Sequence, residues 1–150
     1  MDAVTYSSAQ VIDFIHRNAI PLRLAYDHKP LADSFKVEKT PCLIILDQDG
    51  NEQHRANGFI SPVEFIATIR LGIAKTRYNR QGYDLAIQVL DKLLEDHPAS
   101  DSSPEAIYLR GLCRYMSTHD YGHLKDAYEQ LALAFPKSEW TMRAFHYRLL

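Results

Sequence analysis

The sequence has only two cysteines, Cys42 and Cys113, and they stand far apart in the chain. Isolated cysteines form neither a disulfide framework nor a metal knuckle, because both need several closely spaced cysteines. No apolar run reaches the roughly 20 residues of a membrane-spanning helix. The first residues also lack the basic start and apolar block of a signal peptide. The formal net charge of −2 gives no general attraction to nucleic acid or to an anionic membrane.

These absences exclude several classes of protein. We expect no disulfide scaffold, no metal, no cofactor, no nucleic-acid partner and no membrane partner. A reducing cytoplasm is the expected location, and the periplasm is the alternative if a further segment precedes Met1. What remains is a globular chain of 150 residues with ordinary apolar and charged content. That length suits one domain or two small cooperating units.

The first half, residues 1–75, reads as a small α/β unit. Ser7 and Gln10 have the spacing of a capping box at the start of a helix. A short helix is expected over 29–37. Alternating or continuous apolar residues predict strands at 20–27, 42–47 and 52–57. The last two are joined through Asp49 and Gly50, a dipeptide typical of tight hairpins.

The second half, residues 76–150, is helical throughout. The helix against which this half first packs begins earlier, at Ser61. It starts with a second capping box, in which Pro62 takes the first helical position and the Glu64 side chain returns to the backbone of Ser61. This helix is expected to serve both halves of the chain. Helical periodicity predicts the segments 61–79, 83–96, 104–117, 124–134 and 140–150.

Two stretches of the first half resemble the thioredoxin family. "VEKTPCLIILDQDGNEQHRANGF" is similar to the family's cis-proline corner, the hairpin after it and the final glycine. "MDAVTYSSAQVIDFI" is similar to the continuation that follows the dithiol in bacterial thioredoxin-like proteins. The resemblance implies a cis peptide bond between Thr40 and Pro41, with the backbone there pairing with an extended substrate. Thr40 and Pro41 are therefore candidate substrate-binding residues.

The resemblance is incomplete, because the chain has neither a Cys-x-x-Cys pair nor the family's central strand. That strand would lie between the predicted strands 20–27 and 42–47. Buried backbone groups without partners would each cost on the order of 1–3 kcal/mol. Three solutions are open: the two strands close up, another chain supplies a strand through a homodimer or strand exchange, or this is part of a longer protein. We favour the third.

The second half resembles tetratricopeptide-type helical hairpins. Ala86 and Leu124 hold equivalent places in "GYDLAIQVLDKLLEDHP" and "LKDAYEQLALAFP", and so do Pro98 and Pro136. Both pairs share a spacing of 38 residues, close to the ~34 of that repeat class. The expected fold class is thus a thioredoxin-like α/β unit with an incomplete sheet and an all-α, tetratricopeptide-like extension.

Cys42 is the candidate catalytic residue, because it follows Pro41 directly. It could form a mixed disulfide with a partner, although a buried strand residue explains it as well. The sequence shows no cation that obviously acts on its thiol. Cys113 lies between apolar helix residues and is expected to pack in the core.

Four functions remain open. Thiol–disulfide exchange is implied by the resemblance, but it needs a resolving thiol that this chain lacks. A catalytically silent module that binds a protein or peptide fits the chain as written. An active oxidoreductase would require a longer form, with the dithiol just upstream of Met1. A pure helical-repeat scaffold is a further alternative.

Overall fold

The computed structural model describes all residues from 1 to 150, and it shows a mixed α/β chain with one two-stranded antiparallel sheet. The helical part follows the sheet, as the sequence predicts. In chain order, the elements are α1 (Ala9–Asn18), α2 (Lys29–Ser34), β1 (Cys42–Leu46), β2 (Glu52–Asn57), α3 (Pro62–Asn79), α4 (Tyr83–Asp96), α5 (Ser103–Thr118), α6 (Gly122–Ala134), α7 (Glu139–Ala144) and a 3-10 turn (Phe145–Leu149). None of the helices is long and apolar enough to cross a membrane.

The start of α1 differs from the prediction. The helix begins at Ala9 with Ser8 at the N-cap, and no side chain caps it. Ser7 donates its hydroxyl to the carbonyls of Ala3 and Val4, so the predicted capping box is wrong. The preceding residues form turns of their own, in which the Thr5 N–H donates to the Met1 carbonyl at 2.8 Å.

The strand predicted at 20–27 is also wrong. These residues, which we call the apolar segment, are fully outside the sheet, which contains only β1 and β2. Every residue of the apolar segment is exposed. Alternating apolar residues favour a strand, but a strand exists only where a neighbouring backbone completes its ladder. The structure supplies no such neighbour, and so the two predicted strands do not close up against each other.

The β1–β2 hairpin is confirmed, but its turn contains more residues than the predicted dipeptide of Asp49 and Gly50. Backbone pairing closes at Asp47 and Asn51, where the Asp47 N–H donates to the Asn51 carbonyl at 2.9 Å. Gly50 adopts a φ of 82°, a conformation that glycine reaches without strain. The Asp47 carboxylate accepts from the N–H groups of Asp49 and Asn51. Next to this turn, the pairing register of the two strands shifts between Ile45 and Leu46.

Helix α3 packs against both halves of the chain. Ser61 caps it by accepting from the Glu64 N–H at 3.3 Å, as predicted. The Glu64 side chain does not reach back to the cap; it accepts from the Ser100 hydroxyl and the Asp101 N–H in the loop before α5. One side of α3 contributes Phe65, Ile66 and Ile69 to a core shared with α1 and the sheet. Its other side contributes Ala67, Leu71 and Ala74 to the core with α4 and α5.

The helices after α3 pack pairwise along the chain. Leu90 and Leu93 of α4 join the α3–α5 core, and Leu131 of α6 lies in a further core with α5 and α7. The predicted final helix at 140–150 is wrong beyond Ala144, because the chain tightens there into the 3-10 turn. In that turn Tyr147 stacks on Tyr108 of α5.

Candidate functional site

Thr40 and Pro41 form the corner that leads into β1. Their peptide bond is cis, the isomer expected from the resemblance. Both residues are exposed. The Pro41 carbonyl accepts from the Gly58 N–H at 2.8 Å, which fixes the corner against the end of β2. The corner therefore lies at the start of a paired strand.

The edge of β1 that faces away from β2, which we call the outer edge, has no partner. In an antiparallel pair, residues alternate between those bonded to the neighbouring strand and those whose backbone groups point away from it. The bond from Gly58 to Pro41 sets that alternation, and residues 42, 44 and 46 therefore point outward. The N–H groups of Cys42, Ile44 and Leu46 donate to no group outside the ladder. A second strand could pair here without displacing any existing bond.

Cys42 lies half-buried at the start of the outer edge. The guanidinium of Arg55 approaches it from β2, with Nη1 3.9 Å from Sγ. The Arg55 Nε and Nη2 atoms also donate to the two carboxylate oxygens of Glu52, at 2.8 and 2.6 Å, and Nη2 donates to the Phe35 carbonyl. These hydrogen bonds lower the pKa of Glu52 and raise that of Arg55.

Sequence inspection missed Arg55 because it is 13 residues from Cys42 in the chain. The pairing register of the hairpin could have predicted this contact. Cys42 is opposite Asn57, and Ile44 is opposite Arg55. Cys42 and Arg55 are therefore diagonal neighbours on the same face of the sheet, a distance that a long side chain spans.

Cys113 is too far into the helical core to act with Cys42. It is fully buried in α5, among the side chains of the α3–α5 core. Burial raises the pKa of its thiol to about 12, so the thiol stays protonated at neutral pH. Both cysteines are free. The structure therefore brings Thr40, Pro41 and Cys42 together but supplies no second thiol beside them.

A polar cluster that sequence reasoning missed joins the sheet to the helices. Lys75 of α3 donates to Nδ1 of His54 on β2 at 3.1 Å and forms an ion pair with Glu105 of α5. Burial, followed by the charge of Lys75, lowers the pKa of His54 to about 4. The imidazole is therefore neutral at pH 7. His54 and Glu105 line a groove of about 470 Å³ beside Phe59.

No group of three or more histidine, cysteine, aspartate or glutamate side chains is placed to hold a metal ion. A second groove, of about 740 Å³, lies between α1, α3 and α4. Thr40, Pro41 and Cys42 line neither of the two grooves. The candidate site is therefore an open strand edge, outside both grooves.

Comparison with protein-family models, with curated proteins and with solved structures finds no match to this chain.

Proposed function

We propose that this chain is a redox-silent, thioredoxin-like protein-binding module with a tetratricopeptide-like helical extension. Its site is the outer edge of β1, beginning at Thr40 and Pro41, and its ligand is an extended protein segment. The observation that carries the proposal is the row of outward backbone groups on Cys42, Ile44 and Leu46, with which no other strand of the chain pairs.

The chemistry of the edge suits an extended peptide. A segment that adds to a sheet edge gains main-chain hydrogen bonds, and its alternate side chains meet the face of the sheet. Here that face carries Cys42, Ile44 and Leu46, of which Leu46 is 40% exposed. The edge has no charged side chain of its own, so it favours segments with apolar residues at alternate positions.

Redox turnover is not supported, because release of a mixed disulfide needs a second thiol. Cys42 alone could attack a disulfide in a bound partner, forming a new sulfur–sulfur bond and releasing the partner's other sulfur as a thiolate. The covalent product would then persist. Non-covalent binding therefore carries the proposed function, and it does not require the sulfur.

A binding measurement with an unfolded protein tests the proposal. Reduced and carboxymethylated lactalbumin offers extended segments but no thiols. We expect saturable binding by fluorescence anisotropy that Cys42→Ser leaves unchanged. Leu46→Pro removes one outward N–H and should weaken binding about 2- to 12-fold, the value of a single hydrogen bond.

Leu46→Ala is the matched control, because it shortens the same side chain but keeps the N–H. It should bind more tightly than Leu46→Pro. Absence of saturable binding by monomeric protein, or equal binding by the two variants, would place the function elsewhere. Loss of binding in Cys42→Ser would instead favour covalent capture.

A further inference from the structure

The chain carries a second element that lacks a backbone partner, namely the apolar segment. None of the N–H groups of residues 20–27 donates to any group in the chain. Ile20, Leu22 and Tyr26 are 99, 75 and 81% exposed, among the highest values for large apolar residues in this protein. An exposed apolar stretch of this kind marks an interaction site. The structure thus holds both an unpaired edge and an unpaired segment.

The pattern of the segment matches the edge. In a strand, residues 20, 22, 24 and 26 direct their backbone groups to one side and their side chains to one face. All four side chains are apolar. Three of them precede the turn before α2, and Tyr26 lies in that turn. Pro21 falls in the other set, so its missing N–H would face away from the sheet, where an edge strand tolerates proline. Pairing through the even residues therefore loses no donor.

Charge selects the direction of pairing. Lys39 precedes β1 and Asp47 follows it, while Asp27 ends the apolar segment. An antiparallel arrangement with Leu22 opposite Ile44 brings Asp27 to the Lys39 end of β1. A parallel arrangement would bring Asp27 to the Asp47 end, where two like charges repel. Opposite charges at one end therefore favour the antiparallel arrangement.

We propose that the outer edge of β1 is occupied by the apolar segment of a second copy of this chain. Two copies exchange their apolar segments about a two-fold axis, so that each outer edge pairs with one segment of the other copy. Because the exchange is reciprocal about that axis, the interface is closed and joins two copies only. The inference rests on the proposed function, because both use the outer edge, and it names the partner of that edge.

A disulfide trap that uses the native Cys42 tests the register. In the arrangement above, position 24 lies opposite Cys42 as a bonded antiparallel pair, with Cα atoms about 5.5 Å apart. That distance allows a disulfide. We expect Leu24→Cys to yield a covalent dimer on mild oxidation, visible on a non-reducing gel. The matched control Ala25→Cys faces the opposite side of the sheet and should yield little, and Leu24→Cys combined with Cys42→Ser should yield none from this pair.

Sedimentation measurements test the assembly without oxidation. The wild-type chain should sediment at about twice its 17.2 kDa mass. Leu22→Pro and Leu46→Pro should each raise the dissociation constant of the dimer about 5- to 150-fold, because each removes one hydrogen bond from both contacts of its own homodimer. Leu133→Asp, at a side chain that is 87% exposed elsewhere, is the control that stays dimeric.

The outcomes separate this inference from the proposed function. A monomeric wild type that binds carboxymethylated lactalbumin overturns the exchange but retains the binding edge. A monomer that binds nothing overturns both. An intramolecular link between position 24 and Cys42 shows that the segment folds back on its own edge, which also overturns the exchange. Circular dichroism checks that each variant is folded before its mass is interpreted.

Discussion

The Nζ atom of Lys75 lies 3.1 Å from Nδ1 of His54, and a lysine ammonium can only donate in this contact. Nδ1 is therefore the acceptor, and a neutral imidazole must carry its proton on Nε2. The carboxylate of Glu105 pairs with the same ammonium. The three side chains connect β2, α3 and α5, so the state of His54 affects how the sheet is joined to the helices.

This contact predicts a pH-dependent stability. The pKa of His54 falls from 6.5 to about 4 on folding, so the unfolded chain binds the proton more tightly. The stability that neutral His54 contributes is fully present above pH 6.5 and is lost as the pH falls to about 4. We expect a loss of about 1–3 kcal/mol in the free energy of unfolding over that range. Urea titrations at several pH values measure it.

His54→Gln is the informative variant for that experiment. Glutamine keeps an acceptor for Lys75 but does not titrate, so this part of the slope should disappear. His16→Gln, at an exposed position of α1, should keep it. Burial, followed by Arg70, also lowers the pKa of His97, and this contribution remains in both variants. Equal pH profiles for His54→Gln and the wild type would contradict the prediction.

The two cysteines should differ sharply in reactivity. Cys42 is half-buried, and its Sγ lies at the sheet edge beside Arg55. Cys113 is inaccessible, and burial raises its pKa to about 12. We expect one thiol per chain to react with Ellman's reagent in the folded protein and two in denaturant. Cys42→Ser should remove the reaction of the folded protein.

The same arrangement predicts that the chain does not reduce insulin catalytically. A resolving thiol must reach the mixed disulfide, and Cys113 lies in a different part of the molecule. Turbidity from insulin precipitation should match the buffer control with dithiothreitol alone. Turnover above that control would show that the cysteines communicate through a rearranged structure.

The N-cap residue of α3 should contribute more to the free energy of unfolding than the N-cap residue of α1. Ser61 accepts from the Glu64 N–H, whereas Ser8 occupies the N-cap of α1 without such a bond. Ser61→Ala should lower the free energy of unfolding by about 1 kcal/mol. Ser8→Ala removes no hydrogen bond and should cost much less. Denaturant titration of the two variants compares them directly, and equal costs would contradict the assignment.

Local patterns predict the elements that are stabilised locally. The Pro62 start of α3 and the apolar periodicity of α4 to α6 place those helices within two residues of their observed ends. The hairpin follows from its two strands and the Asp-Gly dipeptide. The coarse class, α/β followed by helices, is therefore readable from sequence. The thioredoxin-like and tetratricopeptide-like resemblances remain predictions.

The failures share one physical cause, which is dependence on a distant partner. The apolar segment has a strand pattern, but its state depends on whether another backbone lies beside it. The Glu64 side chain accepts a hydrogen bond from Ser100 instead of bonding to the cap of its own helix, because the loop before α5 lies beside it. Arg55 beside Cys42 and Lys75 beside His54 likewise come from register and packing, which no short window of sequence specifies.

Gly72 lies where α3 packs directly on Ile45 of β1, and it provides the sharpest test of that packing. A Cβ added there would meet Cδ1 of Ile45 and lie 3.0 Å from its Cγ2. Alanine normally stabilises a helix by about 1 kcal/mol relative to glycine. Here the steric clash should outweigh that gain, and Gly72→Ala should destabilise the protein by about 1–3 kcal/mol. Gly82→Ala, at the N-cap of α4, meets only one backbone oxygen at 3.4 Å; it is the control and should cost less than Gly72→Ala, because it loses only the preference of the cap for glycine.

A double-mutant cycle identifies the clash as the cause. Ile45→Ala alone should cost about 2–5 kcal/mol, because it leaves a cavity between the sheet and α3. In the Ile45→Ala background, the added methyl of Gly72→Ala fills part of that cavity, and the second substitution should cost little or stabilise. The two changes should therefore be non-additive by more than about 0.5 kcal/mol, the limit for independent sites. Simple additivity would mean that α3 and β1 are farther apart in solution than the structure shows.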